Sequence, residues 1–250
     1  MLAVISPAKK LNFDPVEGVA DSAPIFQDRA NELASLAKKL SVAKLRDMMK
    51  ISEDLAKLNK ERFMAFSDAP DPRSTKQAGF AFAGDTYQGL QIESFDKRDL
   101  AYAQDHLRIL SGLYGVLRPL DRIQPYRLEM GRRIKTKAGE TLYDFWGSQI
   151  GTELDAKANG VIVNLASAEY FKSTGKGLTS QVITPAFKEE REGGLKMIGF
   201  FAKKARGMMA RYMVKNRIDQ IEGLKGFDEE GYGFRADLSD DTQLVFTRKS

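Results

Sequence analysis

The amino-acid sequence predicts an α/β fold, one domain in which a central mixed sheet is flanked by helices. Apolar runs of strand length recur along the chain, and amphipathic patterns of helical period lie between them. No stretch rich in Pro, Gly or Ser is long enough to divide the 250 residues, and no repeat or low-complexity tract is visible. At 42% hydrophobic the chain has material for one large core.

The elements follow in order. Residues 2–5 form an apolar strand that breaks at Ser6-Pro7. Apolar positions in residues 25–40 recur with a period near 3.6, which predicts an amphipathic helix. Ser41 can cap a second helix over 42–49, and Ser52 a third over 53–66. The last two form a helical hairpin carrying Lys50 and Arg62 among other cations; a helix-hairpin-helix element and a plain hairpin with solvated lysines both fit that pattern. Residues 67–80 read as a loop, 80–83 as a short strand turning at Gly84-Asp85, and 96–106 as a helix. Further strands are expected at 107–110, 161–165 and 196–201, and a helix over 207–214 whose methionine face packs in the core.

Composition excludes much chemistry. The absence of cysteine removes disulfides, thiolate metal sites and cysteine nucleophiles, and His106 alone cannot build a histidine-rich metal centre. Any metal would need carboxylates such as Asp228, Glu229, Glu230, Asp237, Asp240 and Asp241, which read more simply as a solvated acidic region. No metal site and no cofactor are therefore expected. No apolar run approaches the ~20 residues that span a bilayer, and the first strand is too short for a signal-peptide core, so the expected location is the cytoplasm.

The formal charge of +5 is unevenly placed. Residues 108–137 hold eight Arg or Lys against Asp121 and Glu129, and residues 196–217 hold seven with no acid, so a positive face or groove is expected. Three strands end in a serine, Ser6, Ser111 and Ser167. If those strands are parallel neighbours, the hydroxyls converge beyond the carboxyl ends of the sheet, where α/β folds bind ligands. Each serine taken singly is equally a chain-turning residue. Lys203, Lys204 and Arg206 are expected at the start of a helix, where cations cost ~0.3–1 kcal/mol each unless an anion offsets them. Tyr114, Arg118, Arg122, Tyr126 and Arg127 combine rings with guanidinium groups, which suits base stacking with backbone contact; tyrosines at core margins give the same pattern. Glu169 and Tyr170, just past Ser167, are candidates for proton transfer or for contacts to a base edge.

The stretches MLAVISPAKKLNF, KISEDLAKLNKERF, FAGDTYQGLQ, HLRILSGLYGVLRPLDRIQPYRLEMG, LYDFWG, NLASAEYFKS, FFAKKARGMMARYM and GFDEEGYGF resemble the YaaA peroxide-stress family, in family order from residue 1 to about 234. The resemblance implies an unusual α/β topology, a basic cleft, a helix-hairpin-helix element, DNA binding and protection against hydrogen peroxide associated with lowered free iron. Carried over by position, that element falls on 42–66. The cleft is then built from Ser6 to Lys9, Arg62, the stretch 111–126, Ser167 to Lys172 and Lys203 to Arg206. The expected partner is DNA, duplex or locally opened, with a nucleobase or phosphate as ligand, and the protein is expected to act as a monomer. The alternative function is an enzyme that excises or modifies a damaged base, with Ser111, Ser167, Glu169 and Tyr170 as catalytic candidates.

Overall fold

Five strands, β1 (Leu2–Ile5), β3 (Leu107–Ser111), β6 (Val161–Leu165), β7 (Gln181–Arg191) and β10 (Gln243–Lys249), run parallel in the order β3-β1-β6-β7-β10 in the computed structural model, which describes residues 1–249. Three short antiparallel strands complete the mixed eight-stranded sheet: β4 (Gly115–Leu117) on β3, β8 (Gly194–Lys196) on β7 and β9 (Gly233–Phe234) on β10. A separate ribbon pairs β2 (Lys76–Gln77) with β5 (Arg122–Ile123). Every residue of β1 and β3 is buried, as expected of parallel strands covered on both faces.

Helices α1 (Gln27–Lys38), α2 (Val42–Met49), α3 (Glu53–Ala65), α4 (Ala78–Ala81), α5 (Asp85–Leu90), α6 (Lys97–His106), α7 (Leu142–Trp146), α8 (Gln149–Lys157), α9 (Ala168–Phe171), α10 (Gly199–Lys215) and α11 (Ile221–Leu224) flank the sheet. α1 buries Ala30, Leu33, Ala34 and Ala37, one helical stripe. Ser41 and Ser52 cap α2 and α3 by accepting hydrogen bonds from the amides of Lys44 and Leu55, and Lys50 turns the chain between them with φ 53°. Asp96 caps α6 in a reciprocal pair with Asp99.

Two expected strands are corrected. Residues 80–81 close the helical turn α4, docked by the amides of Ala78 and Gly79 donating to the carbonyls of Asp121 and Pro119, and of the expected strand only an isolated antiparallel bridge of Phe82 to Leu11 remains. The run 196–201 is not a strand of the parallel sheet: β8 ends at Lys196 as the return arm of a hairpin with β7, and α10 starts at Gly199. Its apolar residues Met197 and Phe200 are exposed, so the apolar run never reflected a buried strand. The true fourth strand is β7, whose charged residues disguise it. No helix among the described residues is long and apolar enough to cross a membrane.

Candidate functional site

The register of the central strands sets the site. Ile5 of β1 lies beside Ile109 of β3 and Leu165 of β6, so β1 and β6 end level while β3 runs two residues further to Ser111, and the turns that follow open on the same edge of the sheet. The Ser6 hydroxyl accepts from the Ser167 amide at 2.9 Å and faces the Ser167 hydroxyl at 3.4 Å, which ties the two turns together. Ser111 is fully buried: its Oγ accepts from the Tyr114 amide at 2.9 Å and meets the Tyr126 hydroxyl at 2.6 Å. Two of the three serines therefore reach the surface of the site, and the third supports Tyr126 from beneath.

These turns border a cavity of about 490 Å³, within the range of small-molecule sites, ~300–1,000 Å³. Ser6, Lys9 and Lys10 follow β1, Asp85 to Tyr87 open α5, Tyr126 to Glu129 cross from the β5 side, Ser167, Glu169 and Tyr170 follow β6, and Lys203 and Arg206 come from α10. α5 and α10 cross with their backbones almost touching. A Cβ added to Gly207 would stand 1.8 Å from the Thr86 carbonyl oxygen, and one added to Gly89 would stand 2.1 Å from that of Lys204. Only glycine permits this approach, and it fixes the helix that carries Arg206 into the cavity lining with Ser6 and Ser167.

Five cations, Lys9, Lys10, Arg127, Lys203 and Arg206, line the cavity against Asp85, Glu129 and Glu169, so its balance is positive. The acids are already engaged. Buried Glu129 takes Arg127 at 3.0 Å and Lys9 at 3.4 Å on one oxygen and Arg132 on the other. Burial pushes its carboxyl pKa up, but those three cations outweigh it and hold the group below the usual range. Glu169 accepts from the Gly131 amide at 2.9 Å, and Asp85 lies 4.0 Å from Lys203. Of the five cations, Lys10, which is exposed, and Arg206 have no ion pair among the described residues, and Arg206 is the one withdrawn from solvent. It is half-buried, no carboxylate among the described residues lies within ion-pair distance of it, and burial alone lowers its pKa. Arg127 has a buried Nε without a hydrogen-bond partner.

Aromatic rings form the rest of the wall. Tyr87 donates to the Ser6 carbonyl at 3.2 Å, and Tyr126 contacts Ser111. Burial, reinforced by neighbouring phenols and, for Tyr170, by Glu169 and Glu129, raises the pKa values of Tyr87 and Tyr170. Burial likewise raises that of Tyr126. All three phenols are neutral at physiological pH and bring no charge to the cavity.

Several residues singled out from the sequence lie elsewhere. Tyr114 is buried, edge-on to Tyr126 with ring centroids 5.4 Å apart, and has no face free for a base. Arg118 is bound to Asp121 at 2.8 Å and to the Ala23 carbonyl at 2.8 Å, and Arg122 to Asp21 at 2.8 Å and Thr75 at 2.7 Å; both tie loops together. Lys204 pairs with Glu230, and Lys172 lies exposed over the Tyr143 ring; neither lines the cavity. Lys203 and Arg206 stand in the second turn of α10, not at its start, because Gly199 begins the helix. Lys50 is exposed at the α2–α3 turn. Arg62, on α3, is close enough to Arg127 for their charges to oppose each other: burial first and Arg127 second lower its pKa. Tyr87 and Arg132 escaped sequence reasoning. The Gly84-Asp85 pair read as a turn, with no sign that it opens α5 or that Tyr87 would fold back onto Ser6. In the acidic C-terminal region Glu229 pairs with Arg211, Glu230 with Lys204 and Arg248, and Asp237 with Arg235.

The profile of the family described as peroxide stress protein YaaA matches residues 1–238. The chain is 52% identical over 253 residues to the UPF0246 protein SPO0106 of Ruegeria pomeroyi, covering 99% of this chain and 98% of that protein. It is also 52% identical over 254 residues to a UPF0246 protein of Caulobacter vibrioides strain NA1000, covering 99% of each. A shared parallel sheet edge, a positive cavity and a sequence match along almost the whole chain coincide, and the protein belongs to the peroxide stress protein YaaA family.

Proposed function

We propose that this protein acts in the cytoplasmic response to peroxide as a DNA-binding protein that holds phosphate groups of duplex or locally opened DNA at the positive cavity. The α2–α3 hairpin extends the contact surface as a helix-hairpin-helix-like element. The observation that carries this reading is Arg206, a half-buried guanidinium with no acidic partner among the described residues. Holding such a charge out of water without a counter-ion is unfavourable, and a bound phosphate relieves it with charge-assisted hydrogen bonds. Arg62 beside Arg127 gives a line of positive charge from the hairpin towards the cavity. Protection then works by occupancy of DNA, and a fall in free iron follows indirectly, since Glu229, Glu230 and Asp237 are committed to cations.

The test is duplex affinity against salt concentration. Each neutralised phosphate contributes a slope of about −0.9, so several contacts make affinity fall steeply with salt. Replacing Arg206 with Met is expected to flatten the slope by about one contact. Because that cation is unpaired, the thermal midpoint should stay level or rise. An affinity indifferent to salt rejects the reading.

A further inference from the structure

We infer that the cavity receives one nucleotide unit, base and phosphate together, either as a free nucleotide or as a unit turned out of a strand. This rests on the phosphate-binding reading above and goes further, because it assigns a use to the aromatic wall. Phosphate alone needs neither a hollow of about 490 Å³ nor rings from three separate segments. Tyr87, Tyr126 and Tyr170 all line the hollow. The hydroxyls of Tyr87 and Tyr126 are spent on the Ser6 carbonyl and on Ser111 and both rings are buried, so what these two add to the lining is a narrow strip of aromatic carbon beside the more exposed Tyr170. Tyr126 is also fixed edge-on against Tyr114 and Phe82, at 5.4 Å and 6.3 Å, so its position is set before any ligand arrives. An aromatic wall takes the flat face of a base, and cations at the rim take the phosphate. Lys203 and Lys9, both largely exposed, and half-buried Arg206 supply that rim. A duplex laid over the mouth reaches the rim but not the rings. The depth of the site is filled only when a base leaves its stack, which is the arrangement proteins use to hold a flipped base.

The experiment has two arms. In the first, deoxynucleoside monophosphates, deoxynucleosides and inorganic phosphate are titrated by calorimetry into the wild-type protein, Arg206→Met and Lys203→Ala. At least one monophosphate should bind about tenfold or more tightly than both phosphate and its own nucleoside, and Arg206→Met should weaken it by about tenfold or more, the worth of one charge-assisted hydrogen bond. Lys203→Ala, an exposed change, gives a smaller loss in the same direction and covers the case in which Arg206→Met fails to fold. In the second arm, a duplex carrying 2-aminopurine is titrated with protein. A rise in fluorescence identifies a unit turned out of the strand; tight monophosphate binding without that rise identifies the free nucleotide, and either result supports the inference. DNA binding with no fluorescence change and no preference for monophosphates overturns the inference and leaves phosphate contact standing. Monophosphate binding without DNA binding upholds the inference and overturns the DNA reading.

Discussion

Replacing Gly207 with Ala tests how the cavity wall is built. The added methyl would sit 1.8 Å from the Thr86 carbonyl oxygen and 2.8 Å from the Leu90 amide, and both are backbone atoms that no rotamer change can move away. Restoring ordinary contact would require α5 and α10 to part by about 1.6 Å, far beyond what a close-packed interior absorbs freely. Overpacking of this kind costs ~1–3 kcal/mol, and a backbone clash belongs at the upper end. Against it stands the helix-propensity gain of Gly to Ala, roughly 1 kcal/mol. The net loss is therefore about 2 kcal/mol, and at ~2–4 °C per kcal/mol for a chain of this size the thermal midpoint should fall by about 4–8 °C. Gly199, in the first turn of the same helix, provides the control: an added Cβ there meets nothing within 4 Å, so Gly199→Ala should be neutral or slightly stabilising. Calorimetric melting of the two variants reads the difference. Monophosphate affinity of Gly207→Ala should fall as well, because Arg206 precedes the displaced residue. If the two variants melt together at the wild-type temperature, the near-contact of α5 and α10 is wrong, and with it the account of how Arg206 is placed.

Two further expectations concern the groups behind the cavity. Glu129 has its pKa lowered from 4.5, so the unfolded chain binds its proton more readily than the folded one; its contribution to stability is complete above the unfolded value and is lost as pH falls through the folded one. The gap in melting temperature between wild type and Glu129→Gln should accordingly narrow between pH 7 and pH 4, and a gap independent of pH would dismiss the three cations as its partners. Ser111→Ala should cost more than Tyr126→Phe. The first leaves both the Tyr114 amide and the Tyr126 hydroxyl without partners in a buried place, about 2–3 kcal/mol, whereas the second leaves Ser111 still accepting from Tyr114, about 1 kcal/mol. Urea unfolding of the pair measures this, and the reverse order would mean that Ser111 is not the hub.

The sequence by itself determined the elements whose causes are local. The apolar tetrad 2–5, the serine caps at 41 and 52, the helix after Asp96 and the α1 stripe all depend on near neighbours, and all appear where expected. The near-full-length motif order also sufficed to assign the family. Local signals misled at residues 196–201, where an apolar run is exposed surface and the start of α10, and at β7, where lysine and glutamates conceal a strand inside the sheet.

Tertiary structure alone decided which side chains share the cavity. Ser6 and Ser167 stand 161 residues apart and meet because parallel pairing brings β1 and β6 into one register. Arg118 and Arg122 have the same composition signal as Arg127, yet Asp121 and Asp21 claim the first two, while Arg127 reaches the cavity with a donor unmet. The reason is physical. Charge is written in the sequence, but whether a charge is neutralised depends on a partner delivered by another segment of the fold. Arg206 has no such partner among the described residues, and only the glycine crossing of α5 and α10 puts it where that matters.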